Sequence, residues 1–202
     1  MPPRYWKSQT ASRKFPAWLM GKNPDLRIIL TSYNADLASK HSKAVRDLIT
    51  SEEYSQVFGS LSSTNEPVVL DRNGGMLAAG VGGGITGFGA NLFIIDDPVK
   101  GRKEASSETL SDDQYEWYKS TAYTRLEDHG AIIVIQTRWD VTDLPGRLLN
   151  AMVSDEDADQ WDVVFMPAIA PEEKDYPQTR EEYVENLLGG VFLPRGGDQL
   201  GR

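Results

Sequence analysis

The sequence predicts an α/β fold with a mainly parallel sheet flanked by helices. Three observations carry that expectation. The segments LRIILTSY (26–33), NLFIIDD (91–97) and AIIVIQT (131–137) are apolar along nearly their whole length instead of alternating. Strands of that kind are buried on both faces, as in parallel sheets. Stretches with helical spacing separate them, the order of elements expected of an α/β chain. Finally, 202 residues at 40% hydrophobic and 25% charged content are enough to enclose a core.

Residues 8–20 read as a first helix, with Phe15, Trp18 and Leu19 as its apolar stripe, Gly21 as its stop and Pro16 as the source of a kink. A strand over 26–33 follows. Asn34 or Asp36 then caps a helix that runs to about Ile49, with Leu37, Val45, Leu48 and Ile49 inward. PVVLD (67–71) and GMLAAGV (75–81) form two strands joined by the turn Asn73-Gly74, and NLFIIDD forms the next buried strand. A long helix is expected from Ser107 to Leu126, with Leu110, Trp117, Tyr118, Ala122 and Leu126 on its inner face. The strand 131–137, a helix near 142–153 and a strand WDVVFMP (161–167) complete the domain. From Pro171 the chain turns acidic and rich in Pro and Gly, the composition of a linker. The expected organisation is therefore a core over 1–170 and a connecting segment over 171–202. No internal repeat is visible.

Composition narrows the chemistry. The absence of cysteine excludes disulfides, CxxC zinc sites and thiol nucleophiles. No apolar run reaches the ~20 residues of a membrane span, and no signal peptide opens the chain. Net charge is −9, unevenly spread. Residues 1–50 hold nine Lys/Arg against three Asp, whereas residues 51–202 hold twelve Lys/Arg against 27 Asp/Glu. The basic third is either a solvated face or a local stripe for nucleic acid.

The strongest chemical signal is LFIIDDP, where four apolar residues deliver two adjacent carboxylates, Asp96 and Asp97, to the C-terminal end of a strand. An acid there can hold Mg²⁺ and a neighbour can orient a water, while the bland alternative is a pair of turn acids before Pro98. Gln136 and Thr137 end the next apolar strand, at the edge where open α/β sheets place their ligands. Lys7-Ser8 closes the opening stretch as a phosphate loop closes, with an ammonium and a hydroxyl, but Trp6 stands where G-K-[ST] has glycine. Gly82, Gly84 and Gly87 match GxGxxG formally, yet they precede a strand and not a helix, so they are expected to form a connector. His41 and His129 share no metal spacing and are expected at the surface. No G-x-S-x-G nucleophile elbow occurs.

Taken together, PPRYWKS (2–8), FPAWLMGKNPDLRIILTSYNADLA (15–38), GVGGGITGFGANLFIIDDPVKGR (80–102) and IIVIQTRWDVTDLPGRLL (132–149) resemble the ATPase half of the large terminase subunit of tailed bacteriophages. The resemblance spans roughly residues 2–170. It implies a P-loop NTPase of RecA/ASCE type that hydrolyses ATP with Mg²⁺ to drive double-stranded DNA into a capsid. Lys7 is then similar to the phosphate lysine, Ser8 to the Mg²⁺ hydroxyl, and Arg4 to the arginine that acts in cis on the transferring phosphate. Asp96 resembles the Walker B metal acid. Asp97 stands where the family carries a catalytic glutamate, one methylene longer. Gln136 and Thr137 resemble the motif that couples the γ-phosphate to DNA movement.

The implied partners are double-stranded DNA, a portal protein, a small terminase subunit and further copies of the chain in a ring. The implied location is the cytoplasm of a bacterial host, transiently at the procapsid portal, with no membrane. Three departures from the family pattern stand out: Trp6 in place of glycine, no strand before the loop, and no nuclease domain after residue 202. They suggest a chain cut at both ends, as in a prophage remnant, with weak or absent turnover. Two other readings stay open. One is an inactive protein that only binds DNA or terminase and portal partners. The other is a generic helicase-like P-loop NTPase.

Overall fold

The structure, a computed structural model, describes residues 6–61, 68–69, 73–164, 182 and 184. Its centre is a sheet of five strands: β1 (Arg27–Ser32), β2 (Val68–Val69), β3 (Gly75–Gly80), β4 (Ala90–Asp96) and β5 (Leu126–Ile135). They lie in the order β2-β3-β1-β4-β5. The four strands β3, β1, β4 and β5 are parallel, and short β2 runs antiparallel on β3. The expected fold class is therefore present: four parallel strands flanked by helices, with one antiparallel strand at the edge.

The unbroken apolar runs explain the layering. Alternate residues of a strand face opposite sides of the sheet. Ile28, Leu30, Met76, Leu92 and Ile94 supply one side of the core. There they meet Ala17 and Met20 of α2 (Phe15–Lys22), Ala38, Val45 and Ile49 of α3 (Ala35–Ile49), and Tyr54 of α4 (Glu52–Phe58). Phe93, on the opposite side, makes an edge-on contact with Trp117, their ring centroids 6.2 Å apart. Each fully buried Ile or Leu stabilises the fold by about 1.5–3 kcal/mol.

The first helical run differs from expectation in an instructive way. It starts as the short turn α1 (Lys7–Gln9), widens into a π-helical turn over Thr10–Lys14, and continues as α2. Pro16 occupies the first turn of α2, directly after that π-helical turn. Lacking a backbone N–H, it cannot bond the carbonyl four residues back, a break that the wider turn accommodates. The buried face carries Ala17 and Met20, whereas Trp18 is exposed. The segment FPAWLM is apolar nearly all round, so its sequence does not mark an inner face.

In α3, Asn34 is the cap: its side chain accepts from the Leu37 N–H at 2.9 Å. The inner face is Ala38, His41, Ser42, Val45 and Ile49, and Leu48 is exposed. The long helix expected over 107–126 is shorter. It is α6 (Glu108–Trp117), preceded by α5 (Arg102–Ala105) and followed by a π turn and a 3₁₀ turn. Leu110 is exposed and Gln114 is buried in its stead, its side chain donating to the Pro98 carbonyl at 3.0 Å. The glycine-rich stretch 81–89 connects β3 to β4, as expected, with Gly82 and Gly87 at positive φ. α7 (Leu144–Ser154) follows β5. Residues 161–164 form no strand, and the remainder of the strand expected over 161–167 lies outside the described residues. No helix among the described residues is long and apolar enough to cross a membrane.

The chain divides into two compact units. One comprises Trp6–Lys100 and Asp113–Gln136 and contains the whole sheet. The other contains Gly101–Asp112 and the chain from Thr137 onward, where Leu149 and Val184 form a small cluster with Met152, Trp161 and Val163.

Candidate functional site

β4 is an interior strand, hydrogen-bonded to β1 on one side and β5 on the other. Its apolar residues anchor it, and its last residue, Asp96, is fully buried. The chain beyond stays in the sheet by backbone bonds. The Asp97 N–H donates to the Ile135 carbonyl at 2.8 Å, and the Tyr33 N–H donates to the Asp97 carbonyl at 3.1 Å. Asp97 makes these bonds with φ at +45°, a left-handed conformation that short polar side chains tolerate better than most. The two neighbouring acids thus differ: one is sealed, the other is held in an uncommon conformation and is partly exposed.

The first helical run delivers its polar side chains to these acids. The Lys7 ammonium pairs with Asp97 Oδ1. Ser8 Oγ donates to Asp96 Oδ1 at 3.1 Å, and Ser12 Oγ donates to Asp96 Oδ2 at 2.7 Å. Trp6, immediately before, has φ 67° and ψ 8° and leaves its side chain 72% exposed. The backbone therefore adopts the conformation for which a phosphate loop uses glycine, with an indole at that position. A left-handed residue leading into helical ones turns successive N–H groups toward a common point, which suits an anion.

Of the seven residues singled out by sequence, four converge: Lys7, Ser8, Asp96 and Asp97. Gln136 directly follows Ile135, the β5 residue opposite Asp96, and is half-buried. Thr137 belongs to the other compact unit. Arg4 lies outside the described residues.

Three participants were missed. His41 is not a surface residue: it is 2% exposed on the inner face of α3. Its Nδ1 accepts from Arg13 Nε at 3.0 Å, and its Nε2 stands 3.4 Å from Asp96 Oδ2. Arg13 also donates through Nη1 to Gln9 Oε1 at 3.0 Å. Burial pushes the His41 pKa below the usual imidazole range; Asp96 opposes this and Arg13 adds to it. Ser12 is the third, fully buried. The helical period of α3 carried a signal for His41, since positions 38, 41, 45 and 49 share a face, but a polar residue there reads as an interruption of that face. Nothing local marks Ser12. His129, by contrast, is exposed as expected.

The second unit contains a different buried acid. Asp143 caps α7, accepting from the Gly146 N–H at 3.1 Å, and it also accepts from the Trp139 N–H at 3.1 Å. The Arg138 guanidinium lies 2.7 Å from its Oδ1. Gly146 is required there, because a Cβ would fall 1.9 Å from the Val141 carbonyl oxygen. Nearby Asp140 accepts from the Thr142 N–H and hydroxyl, which hold its carboxyl below the usual range. The segment TRWDVTDLPGR is thus a self-bonded turn leading into a helix.

No curated protein matches the chain. A family model described as "Terminase large subunit, T4likevirus-type, N-terminal" matches residues 2–192. That span contains the lysine–serine turn, both acids of β4 and the capped turn before α7. The chain accordingly belongs to the terminase large subunit family of T4-like-virus type, through its N-terminal domain.

Proposed function

We propose that this chain is the ATP-hydrolysing portion of a phage DNA-packaging motor and that its nucleotide site is the junction of α1 with the end of β4. One observation carries the reading. An ammonium and a hydroxyl adjacent in sequence, Lys7 and Ser8, reach two acids adjacent in sequence, Asp97 and Asp96. Membership in the terminase family supports a motor component that meets double-stranded DNA, a portal and a small subunit.

The donor set fits the implied groups. Mg²⁺ prefers hard oxygen ligands and is commonly held by one or two carboxylates together with phosphates. Ser8 Oγ and Asp96 Oδ1, 3.1 Å apart, are such a pair of oxygens. A lysine beside a helix start is a point charge for phosphate. Mg²⁺, held by Ser8 and Asp96, would supply positive charge against the charge that develops on the phosphate. The protein's own tasks are then separable. Ser8 and Asp96 hold the cation. Lys7 exchanges its contact with Asp97 for one with phosphate. Asp97, released from Lys7, presents its carboxylate to a water. By resemblance to the family, Arg4 is the candidate to act on the transferring phosphate, and Gln136 and Thr137 are the candidates to report its state to the DNA-moving part. A ring of copies in the cytoplasm of a bacterial host completes the motor.

Trp6 is the reason to expect weak turnover. It supplies the backbone conformation of a phosphate loop with an indole at the position where phosphate must come close. Calorimetry of Mg²⁺-ATP binding to this chain and to Trp6→Gly tests both parts. Tighter binding by Trp6→Gly, lost again with Asp96→Ala, is the expected result. Robust hydrolysis by the unaltered chain that Asp96→Ala abolishes would keep the site and overturn the claim of weak turnover. Binding that ignores Asp96→Ala would remove the site itself.

A further inference from the structure

Asp96 is held more elaborately than a metal acid requires. Its two oxygens have different neighbours. Oδ1 accepts from Ser8. Oδ2 accepts from Ser12 and faces His41 Nε2 at 3.4 Å. Ser12 is fully buried and His41 nearly so, and both are inside the unit that contains the sheet. Ser12 lies in the π-helical turn Thr10–Lys14, as does Arg13. π turns re-aim side chains and are frequent at functional sites.

The hydrogen bonding assigns the His41 tautomer. Arginine has donors and no acceptor, so the imidazole nitrogen that receives Arg13 Nε must be unprotonated. That nitrogen is Nδ1, which leaves the proton of the neutral ring on Nε2. Nε2 is buried and makes no hydrogen bond. Asp96 Oδ2, 3.4 Å away, is an acceptor that this N–H would engage once turned toward it. Gln9 in turn holds Arg13, so the set runs from the helix start to the acid: Gln9, Arg13, His41, Asp96.

We propose that Ser12 and His41 are positioning residues that hold the Oδ2 edge of Asp96, with Arg13 fixing the His41 tautomer, so that the Oδ1 edge beside Ser8 is the one offered to a divalent cation. This rests on the reading of Asp96 as the Mg²⁺ acid. Outer-shell partners of this kind are typically worth about 10–100-fold in metal affinity.

Two measurements on the whole chain test it. The first is ¹⁵N NMR of the imidazole. His41 is expected with its proton on Nε2, and Arg13→Met is expected to move part of the population to Nδ1. A proton on Nδ1 in the unaltered chain overturns the proposal and leaves the assignment of Asp96 intact. The second is ATP affinity in Mg²⁺ and in EDTA for the chain and for Ser12→Ala, Ser12→Thr, His41→Phe and Asp96→Asn. Ser12→Ala and His41→Phe are expected to lose roughly tenfold of the Mg²⁺-dependent gain with the EDTA affinity unchanged, and Ser12→Thr is expected to retain it. A purely structural role would lower both affinities together, and that outcome also overturns the proposal. If Asp96→Asn loses the gain while Ser12→Ala and His41→Phe keep it, the positioning role fails alone. If the unaltered chain shows no such gain, or Asp96→Asn retains it, the Mg²⁺ reading fails and the proposal falls with it.

Discussion

Among the described residues two acids are buried, Asp96 and Asp143, and they are buried for different reasons. Asp143 is 1% exposed and meets partners within five residues: Arg138, Trp139 and Gly146. Asp96 is 0% exposed, and its side chain meets Ser8 and Ser12, 88 and 84 residues away, with His41 close by. Asp143 is satisfied by its own turn, with a cap bond, a backbone bond and an opposite charge, so its burial is explained by the local fold. Asp96 is satisfied by groups that the fold has to bring from elsewhere, at the end of an interior strand, next to a residue held at positive φ. An acid of the first kind contributes to stability. An acid of the second kind is the one that the proposed function has exchange its partners for a ligand.

The largest expected effect separates these roles. Asp143→Ala removes the carboxylate that pairs with Arg138, which is itself largely buried, and removes the α7 cap. Breaking a buried pair on one side costs about 3–5 kcal/mol, to be read as a loss in denaturant midpoint, with Mg²⁺-ATP affinity unchanged in the folded fraction. Asp96→Asn is expected to show the opposite pattern: a fall in Mg²⁺-ATP affinity of about a hundredfold or more, at or beyond the upper end for outer-shell partners, with a smaller stability change. Equal losses of stability for the two substitutions would end the distinction.

Next in size is Trp6→Gly. A left-handed non-glycine residue costs about 1–2 kcal/mol, part of which the greater chain entropy of glycine offsets. Thermal melting should therefore rise modestly, together with the gain in nucleotide affinity. A drop in melting temperature would mean that the exposed indole stabilises the chain in a way its φ of 67° does not reveal.

The smallest effect is confined to alkali. Tyr54 donates its hydroxyl to the Ala17 carbonyl at 2.6 Å, and burial pushes its pKa from 10.0 up to about 12. The unfolded phenol ionises first, so the stability linked to this group is complete below pH 10 and is lost as pH rises toward 12. Tyr54→Phe should flatten that part of the stability curve. Tyr54 and Ala17 are 37 residues apart, so this is a long-range contact like those of Asp96, but with a neutral group and a backbone acceptor. It should therefore leave nucleotide affinity unchanged.

The sheet was legible because its signal is local and redundant. Every residue of LFII is apolar, and an unbroken run leaves a buried parallel strand as the simplest solution. Helix faces were legible in part. Val45 and Ile49 were placed inward correctly, but Leu48 and Leu110 were placed inward and lie exposed, while polar His41 and Gln114 take inner positions. Hydrophobicity misleads wherever a buried position is polar by design of the site or by a specific hydrogen bond. Lys7, Ser8, Asp96 and Asp97 stand out in the sequence because each belongs to a short motif with its own chemistry, and the fold brings them together. Ser12, Arg13 and His41 belong to none.

By itself, then, the sequence determined the α/β class, the apolar strands at the centre of the sheet, the two acids at the end of β4, the lysine–serine turn and the family. Each rests on residue types at short spacing, where covalent geometry and side-chain period leave few alternatives. Only the tertiary structure decided that one acid is sealed and the other is held at positive φ, that a π turn sets Ser12 on the far oxygen of Asp96, and that His41 lies inside. Those outcomes depend on where β1, β4 and α3 place the chain after folding, over separations at which no sequence period survives.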